Sequence, residues 1–572
     1  MPARPGHEQF TRPRSPSQRR YEALRAYFVE GASAEQVARR FGYARGSVER
    51  LVHDHRQSRL PPLFADPRPG PKRQPKKERA RSLALELRRA GRSLEEIVQA
   101  LVAAGAPLSR TALWELLSEA GLARLEQPAR PAPAPPAAAL KVRALAGEQW
   151  PSEGSLSSEH AGLFLLVPEL VALELPALVQ AARYPGTRQL SALHSILALL
   201  CLKLSGRRRR SHVSDVVHDR SLGLLCGLNV LPKAWHLTSY SYRTERRQQE
   251  ALLQALLPRL RSSGLLRGES FNLDFHAIMS FGEGEILEEH YVSRRSQRTR
   301  SVLTFFAEDG EEHALVYANA DLAKAEQARE VIRFCEFFER SQGEPPCLLV
   351  FDQRLTTYAQ LAELDRRRIG FITLRKRGRK LLAELEALPA ERWQRVRLER
   401  PGKQRDVAVT ESALAVEDRR FRQLAVRGLG REQPTLFLTN QHEMQAKALV
   451  ERYARRWGIE NHLAEQIRAF HLDALAAQVP LSVDFDTTLT VLADAVYRRF
   501  ARRLRGHAKV TPETLFRHFI DTKGELRFAP GRVEVRLRRR TYTPILLEAG
   551  YAEREVEVPW WGGRTLSYAF PA

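Results

Sequence analysis

Between residues 270 and 374 the chain alternates short apolar runs with amphipathic ones, and two of the apolar runs carry an aspartate. "SFNLDFHAI" reads as a strand with Asp274 inside it, and "CLLVFDQRL" as a buried strand ending in Asp352. "YVSRRSQRTRSVLTFFAED" supplies a basic loop and then a strand, and "HALVYANADL" another strand. "AKAEQAREVIRFCEFFERSQ" and "TTYAQLAELDRRR" show helical spacing, and "IGFITLRKRG" returns to strand. Adjacent early strands followed by strand–helix alternation constrain this region to an α/β mixed sheet flanked by helices. A carboxylate in or just after a buried strand costs free energy unless it is paired, hydrogen-bonded or bound to a metal. One strand-end aspartate is commonly a helix cap. Two such acids call for a shared explanation.

A third acid lies far downstream. Four β-prone runs (Val396–Leu398, Val407–Val409, Leu424–Val426 and Thr435–Leu438) are separated by Gly, Pro and charged turns, so residues of about 381–442 read as a β-rich insertion. "VERYARRWGIENHLAEQIRAFH", residues 450–471, then reads as one helix, with Tyr453, Arg456 and Glu460 at spacings of three and four. Glu460 has two readings. It pairs with Arg456 at i, i+4, which contributes only a few tenths of a kcal/mol, or it joins the two strand acids at a metal.

The charge points to a partner. Of 572 residues, 91 are Lys or Arg and 67 Asp or Glu, a net +24 that favours a polyanion. No run is long and apolar enough to span a membrane: "LHSILALLCLKL" ends in Lys203, and "GLFLLVPELVALELPALV" carries Glu169, Glu174 and two prolines. The first residues have no apolar core of a secretory signal, and Cys201, Cys226, Cys335 and Cys347 show neither zinc spacing nor a disulfide framework. The expectation is a cytoplasmic, nucleoid-associated protein with no membrane partner.

Residues 1–124 hold 24 Lys or Arg against 13 Asp or Glu, so +11 of the charge lies there. Residues 1–60 read as a first helix-turn-helix unit: "RRYEALRAYFVEG", then "SAEQVARRFG" capped by Ser33 with Val37, Ala38 and Phe41 inward, then "ARGSVERLVHDHR". Arg45, Ser47 and Arg50 would face the major groove of double-stranded DNA. Residues 61–125 repeat the pattern, with caps at Ser93 and Ser109, a capping box to Glu96, and Arg110 and Thr111 leading the recognition helix. A Pro/Ala-rich linker is expected over 126–150 and a helical domain over 151–264. Within it, Arg207–Arg210 reads equally as a solvated face or a phosphate contact. Residues 265–480 form the mixed-sheet domain, and 481–572, with Trp560 and Trp561, a C-terminal helix and β-prone tail of unknown role.

An acid on a first strand, an acid after a later strand, a β insertion and then Tyr453, Arg456 and Glu460 resemble the DDE transposases of bacterial insertion sequences, in the insertion-sequence-4-like group. The resemblance spans roughly residues 150–480. It implies a ribonuclease-H-like fold in which Asp274, Asp352 and Glu460 hold two Mg²⁺, with Mn²⁺ as a substitute. It also implies that Arg456 and Tyr453 serve beside them, Arg456 orienting Glu460 or holding a phosphate and Tyr453 stacking or bonding near the cut strand. A dimer on DNA is expected, because transposition joins two ends. The family's Lys seven residues after the Glu is here Ile467, with Arg468 next to it. His276 and His462 are read as outer contacts. Arg294, Arg295 and Arg298, in the 293–300 stretch, and the 375–380 stretch are candidate DNA-backbone contacts. A DNA-binding regulator derived from such an element, or a metal-dependent nuclease of the same fold, are the competing readings.

Overall fold

The computed structural model describes residues 16–57, 75–90, 92–122, 141–279, 288–292, 297–400, 403–430, 432–474 and 480–571. They fall into two compact units, residues 1–138 and 139–572.

The first unit holds two three-helix bundles, each with its own apolar core. The first consists of Pro16–Phe28, Ala34–Phe41 and Arg45–Arg56. Ser33 caps the middle helix in a capping box with Gln36, and Gly42 (φ 64°) ends it in the left-handed conformation glycine adopts most readily. Val37, Ala38 and Phe41 are buried as expected, against Ala23, Leu24, Val48 and Val52. The second bundle is Pro75–Arg89, Leu94–Ala103 and Arg110–Glu119, with Ser93–Glu96 forming the expected capping box and Ser109 the expected cap.

The second unit contains a mixed sheet and a smaller one. The strands in chain order are β1 (Gly154–Ser158), β2 (Phe271–Met279), β3 (Glu289–Val292), β4 (Gln297–Asp309), β5 (Leu315–Asn319), β6 (Leu348–Phe351) and β7 (Gly370–Leu374). They continue with β8 (Gln394–Arg400), β9 (Lys403–Val416), β10 (Arg419–Arg427), β11 (Thr435–Thr439), β12 (Gly524–Ala529), β13 (Arg532–Leu537), β14 (Val556–Val558) and β15 (Arg564–Ala569). In the large sheet β2 is interior. β4 is antiparallel to it and pairs in turn with β3 and β5, while β6 lies parallel to β2 on the other side and β7 parallel to β6. Parallel strands need crossovers, and helix Tyr358–Arg366 connects β6 to β7. Helix Glu330–Gln342 precedes β6 and presses Phe334 and Phe338 onto Phe271 of β2, with ring centroids 5.3 and 4.8 Å apart.

All four expected β-prone runs lie in strands, but they are not a separate body. β11 pairs antiparallel with β7, and β10, β9 and β8 follow as a meander, so the insertion extends the same sheet. The N-terminal end of the expected insertion is helical, Arg379–Glu386.

Three expected boundaries do not separate bodies. Residues 141–150, assigned to the linker, enter the core: Leu145 and Trp150 are buried, and Ala144 bridges Leu228. β1, in the expected helical domain, pairs with β12 of the expected tail, within a second sheet ordered β1–β12–β13–β15–β14. The tail is tied in by Trp560 and Trp561, whose indole N–H groups both donate to the Leu225 carbonyl at 2.9 and 3.2 Å. Helix Pro480–Arg503 packs on β5, where buried Asp494 and Asp484 accept the Leu315 and Ala320 N–H groups at 3.2 and 2.8 Å. Backbone donors on one side of β5 are thereby satisfied by acids instead of another strand.

Among the described residues no single helix is long and apolar enough to cross a membrane. The bent pair Ala161–Ala172 and Leu175–Ala182 passes such a test by composition, and most of its apolar side chains are buried in the core. The four cysteines are unpaired.

Candidate active site

The parallel register of β2 and β6 runs from Phe271–Leu349 to Leu273–Phe351. Asp274 and Asp352 each follow the last registered pair by one residue, and both line one cavity. The two expected strand acids therefore come to one cavity because β2 and β6 are adjacent, although the chain makes three other strands between them. Asp274 Oδ1 accepts from the Phe275 N–H at 2.9 Å, and Asp352 Oδ1 from the Gln353 N–H at 2.6 Å.

The expected helix over 450–471 is two, Ala446–Arg455 and Trp457–Phe470, joined at Arg456. Bonds from Arg456 N–H to the Tyr453 carbonyl and from Ile459 N–H to the Arg456 carbonyl, both 3.0 Å, span three residues and not four, so the joint is wound tighter than an α-helix. The first helix is fixed by buried Arg452, which donates to Ser270 Oγ just before β2 and, at 2.9 Å, to Asn272 Oδ1 on β2. Burial lowers its guanidinium to about 10. The second helix packs on β2.

Glu460 thereby reaches the same cavity as the two aspartates. The cavity has a volume of about 490 Å³, and its lining includes Asp274, Asp352, Glu460, Arg456, His276 and Arg298. Arg456 is almost wholly buried, with Nη2 3.0 Å from Glu460 Oε1 and Nη1 3.6 Å from Asp274 Oδ2. Glu460 thus forms the i, i+4 pair while lining the same cavity as the two aspartates. Burial raises Asp274 to about 6; Arg456 opposes the shift, while Glu460 and Asp352 add to it. Burial works against charge on Arg456, but Tyr453 and the three acids hold it above the ordinary arginine value.

Tyr453 is not on the cavity wall. It is buried edge-on against Phe437 at 5.3 Å, and its hydroxyl has no hydrogen-bond partner among the described residues. Burial pushes the phenol up to about 12, with Arg456 opposing. A role stacking on a cut strand is closed to a side chain in this position; it backs Arg456, whose guanidinium carbon lies 5.5 Å from the ring. Ile467 lines the cavity, whereas Arg468 turns away to Glu513 at 3.4 Å.

The sequence reading missed what anchors the Glu460 helix. His462, two residues on, is buried with Nδ1 2.8 Å from Glu308 Oε2 of β4 and Nε2 3.1 Å from Asp494 Oδ1 of helix Pro480–Arg503. Burial and Arg498 oppose protonation of His462, but Asp494 and Glu308 raise it. Against burial, His313 and His462 hold Glu308 down to about 2. The signal was present: Glu308 interrupts "LTFFAED" and Asp494 interrupts "VLADAV", acids in apolar runs like Asp274.

Of the expected DNA contacts, Arg45, Ser47 and Arg50 are exposed on Arg45–Arg56, with Arg45 2.8 Å from Glu49 and Arg50 3.8 Å from Asp54. Arg110 and Thr111 are exposed at the start of Arg110–Glu119, with Arg110 2.9 Å from Glu95. Arg298 is exposed at the cavity, and Arg294 and Arg295 lie outside the described residues. Among the described residues no three His, Cys, Asp or Glu side chains converge at metal-coordinating distance. A scan against models of known protein families finds no match, and a search of curated proteins finds none.

Proposed function

We propose that this protein is a DDE transposase: its N-terminal bundles act as helix-turn-helix units on DNA ends, and the acidic cavity cuts and joins strands. The observation that carries the reading is the meeting of Asp274, Asp352 and Glu460 in one cavity from three elements far apart in the chain. The mixed sheet with β2 interior, Asp274 on β2 and Asp352 directly after the adjacent parallel β6 supports a ribonuclease-H-like core.

The donor set fits Mg²⁺, which takes hard oxygens and needs no histidine or cysteine. Burial, with smaller contributions from Glu460 and Asp352, raises Asp274, and a divalent cation in the cavity would favour its charged form. Asp274, Asp352 and Glu460 would hold two ions, Mn²⁺ substituting, once Glu460 exchanges Arg456 for metal. Bound there, Mg²⁺ supplies activation of the attacking oxygen and stabilisation of the leaving one. Arg456 favours the charged form of Asp274 and, released by Glu460, is free to hold a phosphate. Arg298 at the cavity rim offers a second phosphate contact. Joining two ends calls for two chains on paired DNA.

The test uses the full chain, Mg²⁺ or Mn²⁺, and DNA carrying the sequences that flank its gene. End cleavage and strand transfer are expected, both abolished in Asp274→Asn with end binding intact. Cleavage that survives Asp274→Asn overturns the proposal, and cleavage without any transfer reduces it to a nuclease.

A further inference from the structure

The run Arg207–Arg210 splits on folding. Arg208 and Arg209 are exposed, while the Arg210 side chain is only 9% exposed and reaches toward Asp486 at 3.7 Å. Lys203 donates to the same carboxylate at 2.6 Å and to the Phe470 carbonyl at 3.3 Å, the last turn of the helix that carries Glu460. Together Lys203, Arg207, Arg208, Arg209 and Arg210 line a cavity of about 360 Å³ in which Asp486 is the one carboxylate among the lining residues. The Nε atoms of Arg207 and Arg210 are buried without a hydrogen-bond partner among the described residues. Five cations on one acid leave a surplus that an anion would neutralise.

A second observation defines the anion. Thr238 lines the same cavity, and Trp235, one turn earlier on helix Ala234–Tyr240, is 79% exposed. Residues three apart share a helix face, so Trp235 stands on the side of this helix that carries Thr238 into the cavity lining. Cationic side chains tracking a backbone beside an exposed aromatic platform are what unpaired nucleic acid recognises. The distance is also suitable. Glu460 and Phe470 are ten residues apart on one helix, about 15 Å, the length of roughly four nucleotides of duplex.

We infer that the Arg207–Arg210 cavity and Trp235 form a binding site for an unpaired stretch of DNA strand, phosphates on the arginines and a base on the indole. The choice of DNA rests on the reading of the acidic cavity above; the site itself does not.

The experiment measures binding of the full chain, without divalent metal, to a blunt duplex and to the same duplex with an unpaired tail, across a salt series. The native chain is expected to prefer the tailed duplex. Trp235→Ala should reduce tailed binding about 5- to 150-fold, the range for one stacked base. Arg208→Gln/Arg209→Gln should lower the salt slope by about 1.4, two contacts at the single-strand value, so that a fourfold rise in salt costs the native chain about 7-fold more affinity than the variant. All three side chains are exposed, and unchanged thermal unfolding confirms intact folding. No tail preference in the native chain, or a preference that survives both variants, overturns the inference. Asp274→Asn should lose cleavage yet keep the tail preference, so failure here and failure of the cleavage reading give different results.

Discussion

Replacing Glu460 with Gln separates its two geometries. Glu460 is 56% exposed, and its pair with Arg456 is a single 3.0 Å contact at i, i+4. Such pairs contribute about 0.3–0.5 kcal/mol. Arg456 keeps its contact with Asp274 at 3.6 Å, so the substitution leaves no buried charge alone. Stability should therefore fall by less than about 1 kcal/mol, a melting shift of a few degrees at most. Cleavage is a different matter. A carboxylate that holds metal at a reacting phosphate supplies several kcal/mol of charge stabilisation, and each ~1.4 kcal/mol is tenfold in rate. End cleavage in Mg²⁺ should drop by about 10³-fold or more while end binding is unchanged. Asp274→Asn/Glu460→Gln should be little worse than either single variant, because the acids act as a unit. Single-turnover cleavage, end-binding affinity and thermal unfolding, measured on the same preparations, give the three numbers. Near-normal cleavage by Glu460→Gln would refute the triad and leave Glu460 as a surface ion pair.

Glu308 is held down to about 2 in the folded chain, against 4.5 for an ordinary glutamate carboxyl. A depressed acid stabilises the fold above its unfolded value and loses that contribution as pH falls toward 2; the shift is worth on the order of 3 kcal/mol. Glu308→Gln should accordingly lower stability near neutral pH and flatten the decline between pH 4.5 and 2, read by denaturant unfolding across pH; an unchanged acid limb would show Glu308 is not the responsible group. Tyr453→Phe removes a buried hydroxyl whose interaction is with the Arg456 guanidinium, so stability should change by no more than about 1 kcal/mol in either direction, with cleavage retained; a large loss of cleavage would restore a chemical role for the phenol. A chain beginning at residue 139 keeps the whole core of its unit, and should fold and bind DNA weakly with steep salt dependence but without preference for element ends, as competition binding would show; retained preference would remove the recognition role of the bundles.

Local features were readable because they depend on neighbours in sequence. Ser33, Ser93 and Ser109 cap helices through bonds to residues three along, and the four β-prone runs of the insertion all became strands, since period and turn residues are local signals. Asp274 and Asp352 stood out for the same reason: charge inside or at the end of an apolar run is visible without coordinates. Their lining one cavity was not, because it follows from β6 lying beside β2.

What only the tertiary structure decided involves partners that are remote or directions that periodicity leaves open. Helical spacing gives Tyr453 an apolar stripe, but burial against Phe437 placed it in the core and away from the cavity. Four consecutive arginines look alike in sequence; Asp486 drew Arg210 inward and left Arg208 and Arg209 in solvent. His462 had no sequence neighbour to explain it, since Glu308 and Asp494 reach it from β4 and helix Pro480–Arg503. β1 and β12 pair across most of the second unit, which merged three expected domains into one. The sequence by itself determined the elements and the acids they carry, because propensity, capping and hydrophobic period act over a few residues. Which acids meet, and which basic residues surround them, was decided by long-range strand pairing and buried ion pairs, whose energies depend on distances no linear pattern encodes.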